Sequence, residues 1–451
     1  MMECMLTALS SGSGKTAVAC ALLAALKKRG MTPCAFKCGP DYIDPMFHRA
    51  VLDVPSHNLD LFLSSEQKVR SLYERYSAGY TAAVVEGVMG FYDGVGGVTD
   101  QASAWHVSQV LNLPVVLVLR PKGTSLTLAA QVKGLLSFRS QNHVIGILLN
   151  DCSPMLAKSL SPMLEEQTGL PVLGFLPSME QASFESRHLG LLTAAEIQDL
   201  SSRIDAMASQ MEQTVNLTRL IELCERTAPS SKRSKVWDSQ GPWIAVARDA
   251  AFCFTYEETL DVLQDAGARL TFFSPLRDAC LPERAQGLYL PGGYPELYAE
   301  ELSANETMRA SVRMAAQKGM PIVAECGGFL YLGQDLENVD GISFAMAGVL
   351  PGHGVSGKKL VRFGYAQLKA EKDSLLFRTG EQFPFHEFHY WDSTHPGMDL
   401  AAQKTVTGRE WSFGFATPTL YAGFPHLYFA GTPVLAHRFV QAACAFGAGG
   451  V

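Results

Sequence analysis

The stretch SSGSGKTAVACALLAALKKRG, Ser10 to Gly30, follows the apolar run Met5–Leu9 and opens a segment with an apolar helical face. Small residues between a strand and a helix let the backbone curl until its N–H groups point at phosphate oxygens, and the helix N-terminus favours the negative charge. Ser11, Gly12, Ser13 and Gly14 therefore read as a phosphate cradle, and Lys15 as the group that reaches the outer phosphates of a nucleotide. Thr16 would ligate magnesium. The spacing departs from G-x-x-x-x-G-K-[ST], because Leu9 occupies the first glycine position and Ala8 precedes it. A Gly/Ser turn that merely starts a helix would explain the glycines, but not strand, loop, GKT and helix in that order.

Beyond this loop, apolar runs of strand length recur at Pro33–Lys37, Ala82–Glu86, Val115–Leu119, Val144–Leu149 and Val172–Leu176, with helical segments between them. That rhythm predicts a doubly wound parallel sheet covered by helices on both faces. It fails at CERTAPSSKRSKVWDSQGP, Cys224 to Pro242, a polar, basic, Ser- and Pro-bearing stretch that suits an exposed connector. A second strand series follows at Trp243–Ala247, Arg269–Phe273, Gly287–Leu290 and Pro321–Glu325, then shorter strands and turns beyond about Gly341, then an apolar helix near Val434–Phe446. The expected organisation is a nucleotide-binding α/β domain over residues 1–225, a linker over 226–242 and a second α/β domain over 243–451.

At 451 residues, 47% hydrophobic and 18% charged, the chain has ordinary globular composition and exceeds one compact core. A formal net charge of −7 argues against a general nucleic-acid or membrane-surface binder. No basic n-region opens the chain and no run of about 18 apolar residues occurs, so the expectation is a soluble, cytoplasmic protein with no membrane partner. The ten cysteines are scattered without C-x-x-C pairs, which speaks against a disulfide framework or structural zinc.

Two further loops at strand ends carry acidic groups. In FKCGPDYIDPMFH, Phe36 to His48, Asp41 and Asp44 could bind magnesium or orient substrate, and Lys37 could touch phosphate; turn-forming aspartates are the plain alternative. In VVEGVMGFYDG, Val84 to Gly94, Glu86 ends a strand where doubly wound sheets open their ligand crevice, which suits magnesium or a water held by it. Asp93 is the weaker candidate, since YDG also reads as a turn.

In the second domain PIVAECGGFLYLG, Pro321 to Gly333, sets Cys326 between an apolar strand and two glycines. A sharp strand-to-helix turn exposes its central side chain and puts a thiol at a helix N-terminus, where its pKa is expected to fall. The N–H groups of Gly292 or Gly293, in YLPGGYPELY, could complete an oxyanion hole with that of Gly327. A histidine must take the thiol proton, and the candidates are His353, His386, His389, His426 and His437.

The ordered set SSGSGKT at 10–16, FKCGPDYIDPMFH at 36–48, VEGVMGFYDG at 85–94, RHLGL at 187–191, AVARDAAFCF at 245–254, GGYPELY at 292–298, AECGGFLYLG at 324–333 and HEFHY at 386–390 resembles the cobyrinic acid a,c-diamide synthase family. These are glutamine-dependent amide-forming ligases of corrinoid biosynthesis. The resemblance implies an N-terminal P-loop domain similar to dethiobiotin synthetase and a C-terminal domain similar to class I glutamine amidotransferases. It implies that Cys326 attacks the glutamine amide, that His426 matches the activating histidine, and that ATP with Mg2+ phosphorylates a substrate carboxylate before ammonia displaces the phosphate. Thr16, Asp41 and Glu86 are then the metal candidates, and Asp44, Arg187 and His188 the substrate candidates.

Small-molecule partners follow from the resemblance: ATP, glutamine, and cobyrinic acid or a related tetrapyrrole. A homo-oligomer is compatible with it. Two departures stand out: Ala324 replaces the first glycine of the usual G-x-C-x-G elbow, and HLY at 426–428 lacks the carboxylate normally found two residues after the histidine. Hydrogenobyrinic acid, nickel-sirohydrochlorin or other corrin side chains are alternative substrates for the same chemistry. In a different class, the chain would be a nucleotide-dependent switch with an inactive amidotransferase domain.

Overall fold

The computed structural model describes residues 1–179, 200–227 and 240–449. It divides into two compact units, Met1–Ser234 and Lys235–Val451. Among the described residues no helix is long and apolar enough to cross a membrane.

In the first unit, strands β1 (Met2–Ala8), β2 (Pro33–Cys38), β3 (Ser56–Leu59), β4 (Ala82–Glu86), β5 (Val115–Leu119), β6 (Val144–Leu149) and β7 (Val172–Phe175) form one sheet in the order β3-β2-β4-β1-β5-β6-β7. Every neighbouring pair is parallel. β1, β2, β4 and β5 are buried at every residue, which is why their sequences run apolar without alternation. The chain winds one way from β1 to β3 and the other way from β5 to β7, so the carboxyl ends of β1 and β4 open at the reversal point, where such sheets hold ligands. Helix α1 (Lys15–Lys28) is buried from Val18 to Leu26 and lies in a common core with Ile204, Met207 and Met211 of the helix Leu200–Thr214. With apolar neighbours on several sides, a truncation such as Leu23→Ala should cost about 2–5 kcal/mol.

In the second unit, β8 (Trp243–Ala247), β9 (Arg269–Phe273), β10 (Ala285–Leu290) and β11 (Ile322–Glu325) join Leu420–Gly423 and the edge strand Phe415–Ala416 in a six-stranded sheet. Its order is Phe415–Ala416, Leu420–Gly423, β11, β10, β8, β9, and all pairs are parallel except the edge pair. Between β11 and the edge strand the chain builds two smaller four-stranded sheets. One of them pairs Arg362–Ala370 antiparallel with Gln382–His389, and this second strand brings His386 into an isolated bridge with His426. The helix Pro433–Gly447 closes the unit.

Candidate functional site

In the first unit the loop after β1 curls through two left-handed glycines, Gly12 at φ 76° and Gly14 at φ 83°. At Gly14 a Cβ would also collide with Asn150 Nδ2, which donates to the Ser13 carbonyl at 3.0 Å. Ser13 Oγ donates to the Ser10 carbonyl at 3.0 Å. Lys15 Nζ, on the first residue of α1, donates to the carbonyls of Met89 at 2.6 Å and Ser10 at 3.2 Å. Burial, assisted by the nearby Lys37 charge, lowers Lys15 to about 8. Asp93 has a local task, since its Oδ2 accepts the Gly90 N–H at 2.8 Å and closes the turn.

Behind Lys15 lies a buried carboxylate cluster. Thr16 Oγ1 donates to Glu86 Oε1 at 2.6 Å and lies 3.3 Å from Asp44 Oδ2. Lys37 Nζ donates to Asp44 Oδ2 and to Glu86 Oε1 at 2.7 Å, with Asp41 Oδ2 4.0 Å away. Lys37, expected at phosphate, is thus held among carboxylates. Asp41 Oδ1 caps α2 (Ile43–Leu52) by accepting the N–H groups of Ile43 at 2.8 Å and Asp44 at 3.1 Å. Burial pushes Glu86 up to about 7 and Asp41 up to about 6. Burial acts the same way on Asp44, but the Lys37 ammonium outweighs it and holds Asp44 below the ordinary carboxylate range. His48, which the sequence reading passed over, places Nε2 3.9 Å from Glu86 Oε2; burial lowers it to about 4. Its signal was the i, i+4 spacing to Asp44 on one helix face.

These donors suit magnesium. Thr16, Glu86 and Asp41 supply only hard oxygens around Lys37, and the buried Glu86 Oε2 has no hydrogen-bond partner among the described residues. Among the described residues no group of three His, Cys, Asp or Glu side chains is arranged to cage a metal. Mg2+ does not need one, because it commonly takes one or two protein oxygens together with phosphates and water. Arg187 and His188 lie outside the described residues.

In the second unit Cys326 follows the last residue of β11 at φ 49°, ψ −105° and precedes the short helix Gly327–Tyr331. A non-glycine residue held there stores about 1–3 kcal/mol of strain, tolerated because the surroundings fix it. The fixing contacts include the Cys326 N–H donating to the Gly423 carbonyl at 2.8 Å. A Cβ on Gly327 would lie 3.1 Å from the Gly293 nitrogen, so the two glycine backbones approach closely beside the thiol residue. A Cβ on Gly292 would lie 2.6 Å from His426 Cε1 and 3.4 Å from Cys326 Cβ, so imidazole and thiol flank the same glycine. The fold therefore gathers Cys326, Gly292, Gly293, Gly327 and His426.

The other histidines sort by position. His353 is exposed and paired through Nδ1 with Asp335 Oδ2 at 2.7 Å. His389 stacks on Phe424 at 3.9 Å, and its Nδ1 contacts the Trp391 carbonyl at 2.7 Å. His386 meets His426 through backbone hydrogen bonds of 2.9 and 3.4 Å. His437 lies in the closing helix.

The expected lowering of the thiol pKa does not occur. Burial first, and then the Glu296 carboxylate, drive Cys326 well above the ordinary thiol value, and a five-residue helix offers little to oppose them. Burial lowers His426 to about 3, so the resting pair is neutral. Cys326 is 7% exposed and His426 2%. Glu325, the residue before the thiol, was also passed over. Its Oε1 accepts the Leu427 N–H at 3.0 Å, its Oε2 accepts the Tyr289 hydroxyl at 3.1 Å, and Oε2 lies 3.9 Å from His426 Nδ1. The signal available was a charged residue closing an otherwise apolar strand.

Residues 4–191 match a CobQ/CobB/MinD/ParA nucleotide binding domain, and residues 243–433 a CobB/CobQ-like glutamine amidotransferase domain. The chain is similar over 98% of both lengths, at 35% identity, to a cobyrinate a,c-diamide synthase of Dehalococcoides mccartyi. It is 37% identical to proteins of the same name from Clostridium tetani, over 96% of this chain and 98% of that one, and from Salmonella typhimurium, over 97% of each. Likeness of this extent, running through both units, shows that the chain belongs to the cobyrinate a,c-diamide synthase family of ligases.

Proposed function

We propose that the chain amidates the a and c acetate carboxylates of cobyrinic acid, using ATP to activate each carboxylate and glutamine as the nitrogen source. Residues 243–451 carry the glutamine half. His426 takes the thiol proton as Cys326 sulfur attacks the glutamine side-chain carbon; the C–N bond breaks, the proton passes to the departing nitrogen, and ammonia leaves a glutamyl thioester. Water then cleaves the thioester to glutamate and restores the thiol. The N–H groups of Gly292, Gly293 and Gly327 serve the tetrahedral oxyanion.

Residues 1–225 carry the ATP half. The Ser11–Gly14 backbone and Lys15 cradle the phosphates, and Lys15 exchanges the carbonyls of Ser10 and Met89 for phosphate oxygens. A carboxylate oxygen of the substrate attacks the terminal phosphorus, ADP departs, and ammonia displaces phosphate from the resulting acyl phosphate. Thr16 and Glu86, with Asp41 at the rim, would hold a Mg2+ ion, which supplies charge neutralisation at the phosphates. Lys37 keeps Asp44 ionised for substrate. An acyl phosphate is required because a carboxylate has no leaving group that ammonia can displace, and ammonia kept out of bulk water stays unprotonated. ATP, glutamine and a reducing setting for Cys326 make the cytoplasm the expected location.

The observation that carries this reading is the strained Cys326 flanking Gly292 together with His426, in one chain with a GKT loop backed by Glu86. Mass spectrometry of products from cobyrinic acid, ATP, magnesium and glutamine tests it. Two replacements of acid by amide are expected. Product only from hydrogenobyrinic acid or nickel-sirohydrochlorin would reassign the substrate, and glutamine left intact throughout would defeat the mechanism.

A further inference from the structure

We infer that Glu325 is the positioning carboxylate of the glutaminase site, standing in for the acidic residue that is missing two positions after His426. The inference rests on the proposed roles of Cys326 and His426. Position 428 is a tyrosine, buried edge-on against Tyr256 at 5.0 Å, and cannot serve. The carboxylate arrives instead from the end of β11, one residue before the nucleophile. Its two oxygens are clamped by the Leu427 N–H and the Tyr289 hydroxyl, which fixes the head group and leaves Oε2 facing His426 Nδ1. A distance of 3.9 Å exceeds a hydrogen bond, but such contacts commonly tighten when substrate binds.

Nδ1 facing Glu325 leaves Nε2 for the thiol. A proton on Nδ1 selects that tautomer, and the imidazolium formed on attack finds an anion beside it. Burying a carboxylate is costly without a compensating positive group, and Glu325 is 1% exposed with no Lys or Arg ion pair among the described residues. The cation it awaits is protonated His426, present only during turnover.

The titratable groups facing Glu325 are Tyr289 on β10, Tyr421 on the strand Leu420–Gly423, Cys326 and His426. Both tyrosines are driven above their ordinary value by burial and stay neutral. Burial pushes Glu325 up to about 8, against about 7 for Glu296 and Glu387, which act on the thiol. With Glu325 active as the carboxylate, glutaminase kcat/KM rises with pH through an acid limb set by this group.

Glu325→Gln preserves size and the Leu427 N–H clamp, and its NH2 can donate to a Tyr289 hydroxyl that turns to accept, so it separates positioning from packing. Expected are a fall in glutaminase kcat of about 10²–10⁴-fold, a KM for glutamine within about threefold of wild type, and loss of the acid limb. Glu325→Asp should recover at least about tenfold over Glu325→Gln by restoring the charge. Wild-type kcat and pH profile in Glu325→Gln overturn the inference, as do equal losses in both variants with KM rising in step. If Glu325→Gln fails to fold, NMR of 15N-histidine-labelled wild type decides: the proton on His426 Nδ1 supports the inference and the proton on Nε2 overturns it. Glutaminase activity surviving in Cys326→Ala would instead defeat the underlying mechanism, a result independent of these.

Discussion

Replacing Gly292 with alanine adds one methyl group between the two reacting side chains. Gly292 is not in the left-handed region, so its backbone accepts alanine without strain and the cost is steric. The new Cβ would stand 2.6 Å from His426 Cε1, and the ring must retreat by about 0.8 Å to reach an ordinary 3.4 Å contact. Retreat is resisted, because His426 is buried and its backbone is hydrogen-bonded to His386 in both directions. A misplacement near 1 Å costs about 10²-fold, so glutaminase kcat should fall by about that factor, equivalent to about 2.7 kcal/mol of barrier. The assay is glutamate release, with a thermal melt as the folding control. A Gly292→Ala enzyme with wild-type kcat would refute the claim that imidazole and thiol meet across this glycine. Gly293→Ala is the contrast: its Cβ would collide with the Ala251 carbonyl oxygen, part of the backbone, so it should lower the melting temperature as well as activity.

Cys326→Ala should reduce glutamine-driven amidation by at least about 10³-fold, while an ammonium salt at alkaline pH restores product, measured by mass spectrometry. Gly14→Ala places a side chain at φ 83° and displaces Asn150, so about 1–2 kcal/mol of strain should weaken ATP binding by about tenfold, readable by calorimetry. Stability of the second unit should be highest on a plateau between about pH 4.5 and 6.5. Burial raises Glu296, Glu325 and Glu387 from 4.5 to about 7, 8 and 7, so their contribution is full below 4.5 and is lost as pH rises toward 8. Burial lowers His386, His389 and His426 from 6.5 to about 3, 4 and 3, so theirs is full above 6.5 and is lost as pH falls. A melting temperature that climbs steadily from pH 4.5 to 8 would contradict this balance.

The central strands of the first sheet were legible because they are buried on both faces: Ala82–Glu86 and Val115–Leu119 coincide with the apolar runs residue for residue, as does Val144–Leu149, which is buried from Gly146 onward. β3 was not, since SHNL is short and polar and lies at the sheet edge, where its place is set by pairing with β2. Cys326 and its glycines could be read because a tight strand-to-helix bend requires particular residue types in succession. Glu325 and His48 could not. Their meaning depends on what the fold sets beside them, a histidine about a hundred positions away for one and a strand-end glutamate for the other. Lys37 shows the same limit, because a lysine next to a phosphate loop reads as a phosphate ligand until three carboxylates are found around it.

The neutral resting state of Cys326 bears on how the enzyme ages. Thiols react with peroxide mainly as the anion, and here burial and the neighbouring Glu296 keep the hydrogen on the sulfur in the resting protein. Idle molecules should therefore present a slow target to oxidants at this site, whereas Cys280 and Cys444 lie exposed on the surface. The nucleophile is spent only on arrival of the amide it is built to open.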